Sequence, residues 1–116
     1  MRSKKRSPCP IAGVLDILGD RWTLLVVRDL FCGKSQFKDF AASPEKIATN
    51  ILADRLQRLV QHGLVERYAP AQSLAGRDAY RLTKKGETLL PVLESIKEWG
   101  LKHIPGSEAR LKLVRK

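Results

Sequence analysis

Apolar residues recur along this 116-residue chain first with a helical period and later with a period of two. Ile11, Val14, Leu15 and Leu18 form one stripe at helical spacing. It predicts a first helix that opens at Cys9 and stops at Gly19. Pro10 suits the first helical position, where its missing N–H is not needed. Asp20 is a natural N-cap for a second helix over about 21–32. Trp22, Leu24, Leu25, Val26, Val27, Leu30 and Phe31 make that helix apolar on nearly all sides, as expected of a central, buried one. Gly33 ends it. Ser35 is placed to cap a short third helix whose Phe37 and Phe40 point inward and which Ser43 and Pro44 break.

Ala48 to Gly63 is the clearest amphipathic segment. Leu52, Leu56, Leu59 and Val60 make its core face, with Asn50, Ala53, Asp54, Gln57, Arg58 and Gln61 opposite and Gly63 as a left-handed C-cap. Alternation then takes over in Leu64 to Ala69 and Arg77 to Leu82, with Pro70 to Gly76 composed like a hairpin tip. Tyr80 and Leu82 are expected to face the core, and Arg77, Ala79 and Arg81 to face away. Thr83 caps a last helix reaching about His103, in which Pro91 predicts a kink or a restart. The predicted fold class is mainly α with a small β-hairpin, in the order α1-α2-α3-α4-β-β-α5. A hairpin directly after the best amphipathic helix is the arrangement of a winged helix-turn-helix. Such a helix fits the major groove of duplex DNA while the hairpin reaches the neighbouring phosphates or minor groove.

Charge changes the picture only once it is resolved along the chain. The total is +10, from 22 Lys and Arg against 12 Asp and Glu, which makes polyanions the first partners to consider. Residues 1–7 and 102–116 carry +4 each. The domain is therefore placed at 9–104, between a basic N-terminal arm (1–8) and a basic C-terminal tail (105–116). Within the middle, residues 46–86 carry +5, residues 8–45 carry −1 and residues 87–101 carry −2. The positive excess lies in the segment expected to touch DNA, as phosphate neutralisation requires.

Other chemistries find little support. No apolar run approaches the roughly 18 residues of a membrane span, and Asp16 interrupts the one stretch that imitates a signal peptide, so a cytoplasmic protein without membrane contact is expected. Cys9, Cys32, His62 and His103 make no closely spaced pair, so neither a metal nor another cofactor is expected. No nucleophile elbow, zincin helix or phosphate loop occurs, which argues against an enzyme.

Several segments together resemble one family. CPI at Cys9 to Ile11, GDRWTLLVVRDL at Gly19 to Leu30, the LxxRLxxL frame from Leu52 to Leu59, GLVER from Gly63, YRLTKKG from Tyr80, and LLPVL with Trp99 are similar to the HxlR family of bacterial transcription regulators, winged-helix proteins related to the MarR type. The resemblance covers about nine tenths of the chain. It implies a homodimer through the terminal helices, with Ile11, Val14, Leu93, Ile96 and Trp99 at the interface and two recognition helices reading a palindromic operator. It also implies that Cys9 senses oxidants or electrophiles. The positive end of the helix dipole and four preceding bases favour such reactivity, the alternative being a cysteine that caps or packs at the interface. The chain departs from the family pattern at Ala48 and Thr49, where Ser-Pro is usual, and at Gln36, where a base often precedes the Phe.

Thr49, Asn50, Ala53 and Asp54 are assigned to base reading: an amide pairs bidentately with adenine, and a small side chain meets a thymine methyl. Arg58 and Lys46 are assigned to phosphates, and Arg77 to the groove or phosphates at the wing. Arg55 flanks the core face, so pairing with Asp39 or Asp54 competes with DNA contact. A winged-helix module that binds only proteins is the alternative function, since fold does not dictate function.

Overall fold

The computed structural model describes residues 7–69 and 79–108. The basic arm up to Arg6, the predicted wing tip with Arg77, and the tail beyond Glu108 lie outside the described residues. Among the described residues six helices and two strands follow in order: α1 (Pro10–Leu18), α2 (Thr23–Phe31), α3 (Phe37–Ala41), α4 (Thr49–Gln61), β1 (Val65–Tyr68), β2 (Ala79–Leu82), α5 (Lys84–Glu87) and α6 (Leu90–His103). This is a winged helix-turn-helix.

Local chemistry accounts for most boundaries. Cys9 is the N-cap of α1 and Pro10 its first residue. Asp20 caps α2 from outside the helix: its Oδ2 accepts from the Trp22 and Thr23 backbone N–H groups at 3.0 and 3.2 Å, and its Oδ1 accepts from the Thr23 hydroxyl. The α3 cap falls one residue later than Ser35. The Gln36 N–H donates to Asp39 Oδ2 at 3.2 Å, while the Ser35 carbonyl accepts from Tyr80 N–H at 2.7 Å. Gln36 bridges Ala79, so this short stretch lies along β2 before α3 begins. Ala48 caps α4 without a side-chain hydrogen bond, and Gly63 follows its C-terminus at φ +75°.

Pro91 marks a restart. The predicted last helix divides into α5, capped by Thr83 Oγ1 accepting from Gly86 N–H at 3.1 Å, and α6, whose first turn holds Pro91. Without an N–H, Pro91 cannot carry the hydrogen-bond ladder across the junction. Gly86 is required by a close approach, because a Cβ there would stand 2.0 Å from the Leu64 carbonyl oxygen.

The hairpin pairs Val65 with Leu82 and Tyr68 with Ala79 in antiparallel register. Ala79, expected on the outer face, is fully buried, and Gln36 bridges it along the edge of β2. Tyr80 and Leu82 pack against the core as expected, Tyr80 meeting the Phe40 ring edge-on at 6.3 Å between centroids. One core holds the domain together. Val26, Val27, Leu30 and Phe31 of α2 meet Phe40, Leu52, Leu56, Leu59, Leu64 and Val65 there. Central α2 packs against α4, β2 and α6. The α1 stripe behaves differently: Leu18 is buried, whereas Ile11, Val14 and Leu15 face solvent.

Candidate nucleic-acid interface

The first two turns of α4 present Thr49, Asn50, Ala53 and Asp54 together at the surface. They can be exposed because Leu52, Leu56 and Leu59, on the opposite side, anchor the helix in the core. An amide, a hydroxyl and a methyl on one exposed helical face are groups that distinguish base edges in a major groove.

The turn that delivers α4 is tied to the end of α2. Arg28 donates to both Glu45 carboxylate oxygens at 2.8 Å and also to Asp29 Oδ1. Asp29, 2% exposed, accepts from the Ser43 hydroxyl, and Lys34 donates to Ser43 Oγ at 3.0 Å. The Arg28 guanidinium holds the Glu45 carboxyl below the usual carboxylate range. Next in the chain, Lys46 is exposed and adopts φ 59°, a left-handed conformation uncommon for a side-chain-bearing residue. Its N–H donates to the Ser43 carbonyl at 3.0 Å. Lys46 thus stands at the entrance to α4 on a braced turn.

The basic groups of the 46–86 segment divide by what they touch. Arg55 Nε donates to Asp20 Oδ2 at 2.8 Å, and its Nη1 donates to Asp54. The expected pairing with Asp54 is present. Asp39 is occupied instead by the Gln36 N–H, and Asp20 is a partner the local spacing does not reveal. Arg58 turns back from the exposed face: Nη2 lies 3.5 Å from the Ile17 carbonyl oxygen and Nη1 3.9 Å from Asp20. Its guanidinium lies toward the α1–α2 junction, with the side chain 32% exposed. Arg81 pairs with Glu66 at 2.8 Å and stacks on Tyr68, and Lys85 Nζ donates to the His62 carbonyl at 3.0 Å.

Burial alone would raise the Asp20 pKa, but hydrogen bonds from Thr23, Arg55 and the Trp22 N–H outweigh it and hold the carboxyl well below the ordinary carboxylate range. A depressed folded-state pKa adds stability that is present above the unfolded value of about 4 and is lost as pH falls. Asp20→Asn keeps an oxygen for the α2 cap but no titrating group. Its melting temperature is expected to fall less steeply between about pH 5 and 3 than that of the unsubstituted protein. Equal slopes in thermal melts would contradict the role given to this carboxylate.

The remaining expected site residues lie on the terminal helices. Ile11, Val14, Ile96 and Trp99 are exposed, and so are Leu15, Val92, Leu101 and Ile104 beside them. Leu93, also expected at the interface, is half-buried and packs in part against the chain's own core. Cys9 is exposed, with its N–H donating to Ser7 Oγ at 3.0 Å. Cys32 is half-buried, and burial followed by the nearby Asp29 charge pushes its thiol pKa up. Among the described residues no group of three or more His, Cys, Asp or Glu is arranged to hold a metal ion, and no helix is long and apolar enough to cross a membrane.

Residues 17–108 match the family described as HxlR-like helix-turn-helix. The HTH-type transcriptional regulator YdeP of Bacillus subtilis is 34% identical over 95 residues, covering 82% of this chain and 73% of that protein. The chain spans 61% of the length of mycobacterial relatives and 92% of another from B. subtilis. Among solved structures, PA1607 superposes with a TM-score of 0.80 at 41% identity, covering 96% of this chain and 77% of that one. Quinone-bound YodB from B. subtilis superposes with a TM-score of 0.67 at 30% identity, covering 81% and 99%. With its motifs, its helix-turn-helix and its hairpin all in the family's order, the chain belongs to the HxlR-like helix-turn-helix family of transcriptional regulators.

Proposed function

We propose that the protein is a homodimeric, sequence-specific DNA-binding regulator that reads a palindromic operator in the cytoplasm. The observation that carries this reading is the exposed face of Thr49, Asn50 and Ala53 on the first turns of α4, delivered by a braced turn and flanked by the hairpin. Asn50 pairs with adenine, and Ala53 and Thr49 meet thymine methyl groups. Asp54 accepts from a cytosine amine with its carboxylate steadied by Arg55. Lys46 contacts phosphate at the helix entrance. Arg77 does so at the wing, outside the described residues. The apolar faces of α1 and α6 join two copies and set the spacing of the two recognition helices.

Selection from a randomised duplex library, followed by sequencing, tests this directly. Enrichment of inverted half-sites spaced by about one helical turn, or a multiple of it, is expected. Recovery of no common sequence would favour a protein-binding module instead.

Cys9 is the proposed entry point of an oxidant or electrophile signal. It is the exposed one of the two cysteines, stands at the start of a proposed dimer helix, and belongs to a chain similar to a regulator solved with quinone bound. Quinone treatment is expected to change affinity for the selected duplex at least several-fold in the unsubstituted protein and to leave Cys9→Ser unchanged. An equal response in both would assign the signal elsewhere.

A further inference from the structure

The recognition helix is held in two physically different ways. Leu52, Leu56 and Leu59 seat α4 on the core, and contacts of this kind fix how close the helix lies. They decide which face of α4 turns inward, but being non-directional they supply no hydrogen-bond geometry to fix its rotation finely. Arg55 supplies a directional restraint. Its Nε bonds Asp20 Oδ2 at 2.8 Å, across 35 residues of sequence, while its Nη1 bonds Asp54 on its own helix. The same Asp20 carboxylate accepts from two backbone N–H groups and the Thr23 hydroxyl at the start of α2, so it cannot follow α4 if the helix turns. Arg58, one turn further along the same flank of α4, reaches the Ile17 carbonyl of α1 at 3.5 Å.

Resting on the DNA-reading role of α4, we propose that Asp20 and Arg55 form a clamp that sets the rotation of the recognition helix relative to α1 and α2. They act as positioning residues for sequence discrimination without touching DNA. Side-chain tips on a helix lie about 5–6 Å from its axis. A rotation of about 20° therefore moves the reading atoms of Asn50 by about 2 Å, more than a bidentate hydrogen bond near 2.9 Å tolerates. Contacts to phosphate by flexible lysines survive such a shift. Loss of the clamp thus lowers discrimination between sequences more than it lowers affinity for DNA in general.

The test compares two probes, a duplex selected by the unsubstituted protein from a randomised library and a scrambled duplex of the same composition, each titrated across a range of KCl concentrations. Arg55→Gln and Asp20→Asn are each expected to reduce the selected-to-scrambled affinity ratio at least tenfold. The dependence of log affinity on log salt is expected to stay unchanged, and the double variant to be no worse than either single one. If Arg55 instead contacts phosphate, Arg55→Gln lowers both affinities alike and shrinks the salt slope by about 0.9, which overturns the proposal. An Asp20→Asn ratio equal to that of the unsubstituted protein also overturns it. Should Arg55→Gln melt below the assay temperature, Arg55→Lys carries the same test, because it keeps the charge and loses the planar fork. Failure of the DNA-reading role itself has a separate signature: the unsubstituted protein would not prefer its selected duplex, and the clamp would fall with it.

Discussion

Trp99→Asp is expected to turn the proposed dimer into a monomer of 13.1 kDa and to weaken binding to a two-half-site duplex by roughly 30- to 1,000-fold, the range set by losing about 2–4 kcal/mol at a residue of the proposed interface. Trp99 is 64% exposed within one chain and Ile11 is 69% exposed, with Val14 on α1 and Val92 and Ile96 on α6 also open to solvent. A monomer of this size seldom leaves so many large apolar side chains on two helices uncovered. A charge placed there stays hydrated in the monomer and would be stranded in an apolar contact between copies. Sedimentation equilibrium reads the mass, and binding to one-half-site and two-half-site duplexes separates loss of pairing from loss of recognition. The one-half-site affinity is expected to change little. A Trp99→Asp protein with the same mass and two-site affinity as the unsubstituted one would remove α6 from the interface.

The second large effect is on folding. Leu56→Ala is expected to cost about 2–5 kcal/mol of stability, a large part of the roughly 5–15 kcal/mol that holds a typical domain. Leu56 is 1% exposed and lies in the middle of the α4 core face, between Leu52 and Leu59, so the cavity left behind has no open side through which the structure can collapse. Gln57→Ala, one residue along on the exposed side, is expected to change stability by no more than about 0.5 kcal/mol. Denaturant unfolding of the three proteins decides between them. Similar midpoints for Leu56→Ala and Gln57→Ala would mean that α4 is not seated as described.

The elements readable from sequence were those in which a local pattern and the tertiary environment agree. The Leu52, Leu56 and Leu59 spacing marks α4 because the core it enters lies on one side only. Pro10 and Gly63 fix their helix ends by backbone geometry that needs no partner. Asp20 is recognisable as a cap because its hydrogen bonds reach only two and three residues ahead. Where long-range contacts decide, local signals misplace the detail. Ser35 looks like a cap, but its carbonyl is recruited by Tyr80, and the start of α3 passes to Gln36 and Asp39. Ala79 alternates with Tyr80 and should face away, yet it is fully buried at the point where Gln36 bridges β2.

The candidate site divides in the same manner. Asn50, Ala53 and Thr49 are visible as an exposed face because exposure is the complement of the apolar stripe. The engagement of Arg55 and Arg58 with the α1–α2 junction is not visible, since no helical spacing connects Asp20 to residues 35 and 38 positions later. Counting charge along the chain places +5 in residues 46–86 but assigns no partner to any of it. The structure pairs Arg55 with Asp20 and Asp54 and Arg81 with Glu66, whereas Lys46 is exposed at the entrance to α4. Helical spacing alone does not say how far each apolar residue of α6 faces the chain's own core, and Leu93 is half-buried against it while Ile96 and Trp99 are exposed.

The proposed function depends on α4 reading base edges in duplex DNA. Equilibrium binding of the unsubstituted protein and Asn50→Ala to the selected duplex, and to every single-base-pair variant of it, measures that directly at several salt concentrations. The expected result is a linear fall of log affinity with log salt for both proteins. For Asn50→Ala, about 1–3 kcal/mol of discrimination should be lost at one position in each half-site, with the salt slope unchanged. Indistinguishable base preferences for the two proteins at every position would contradict the account.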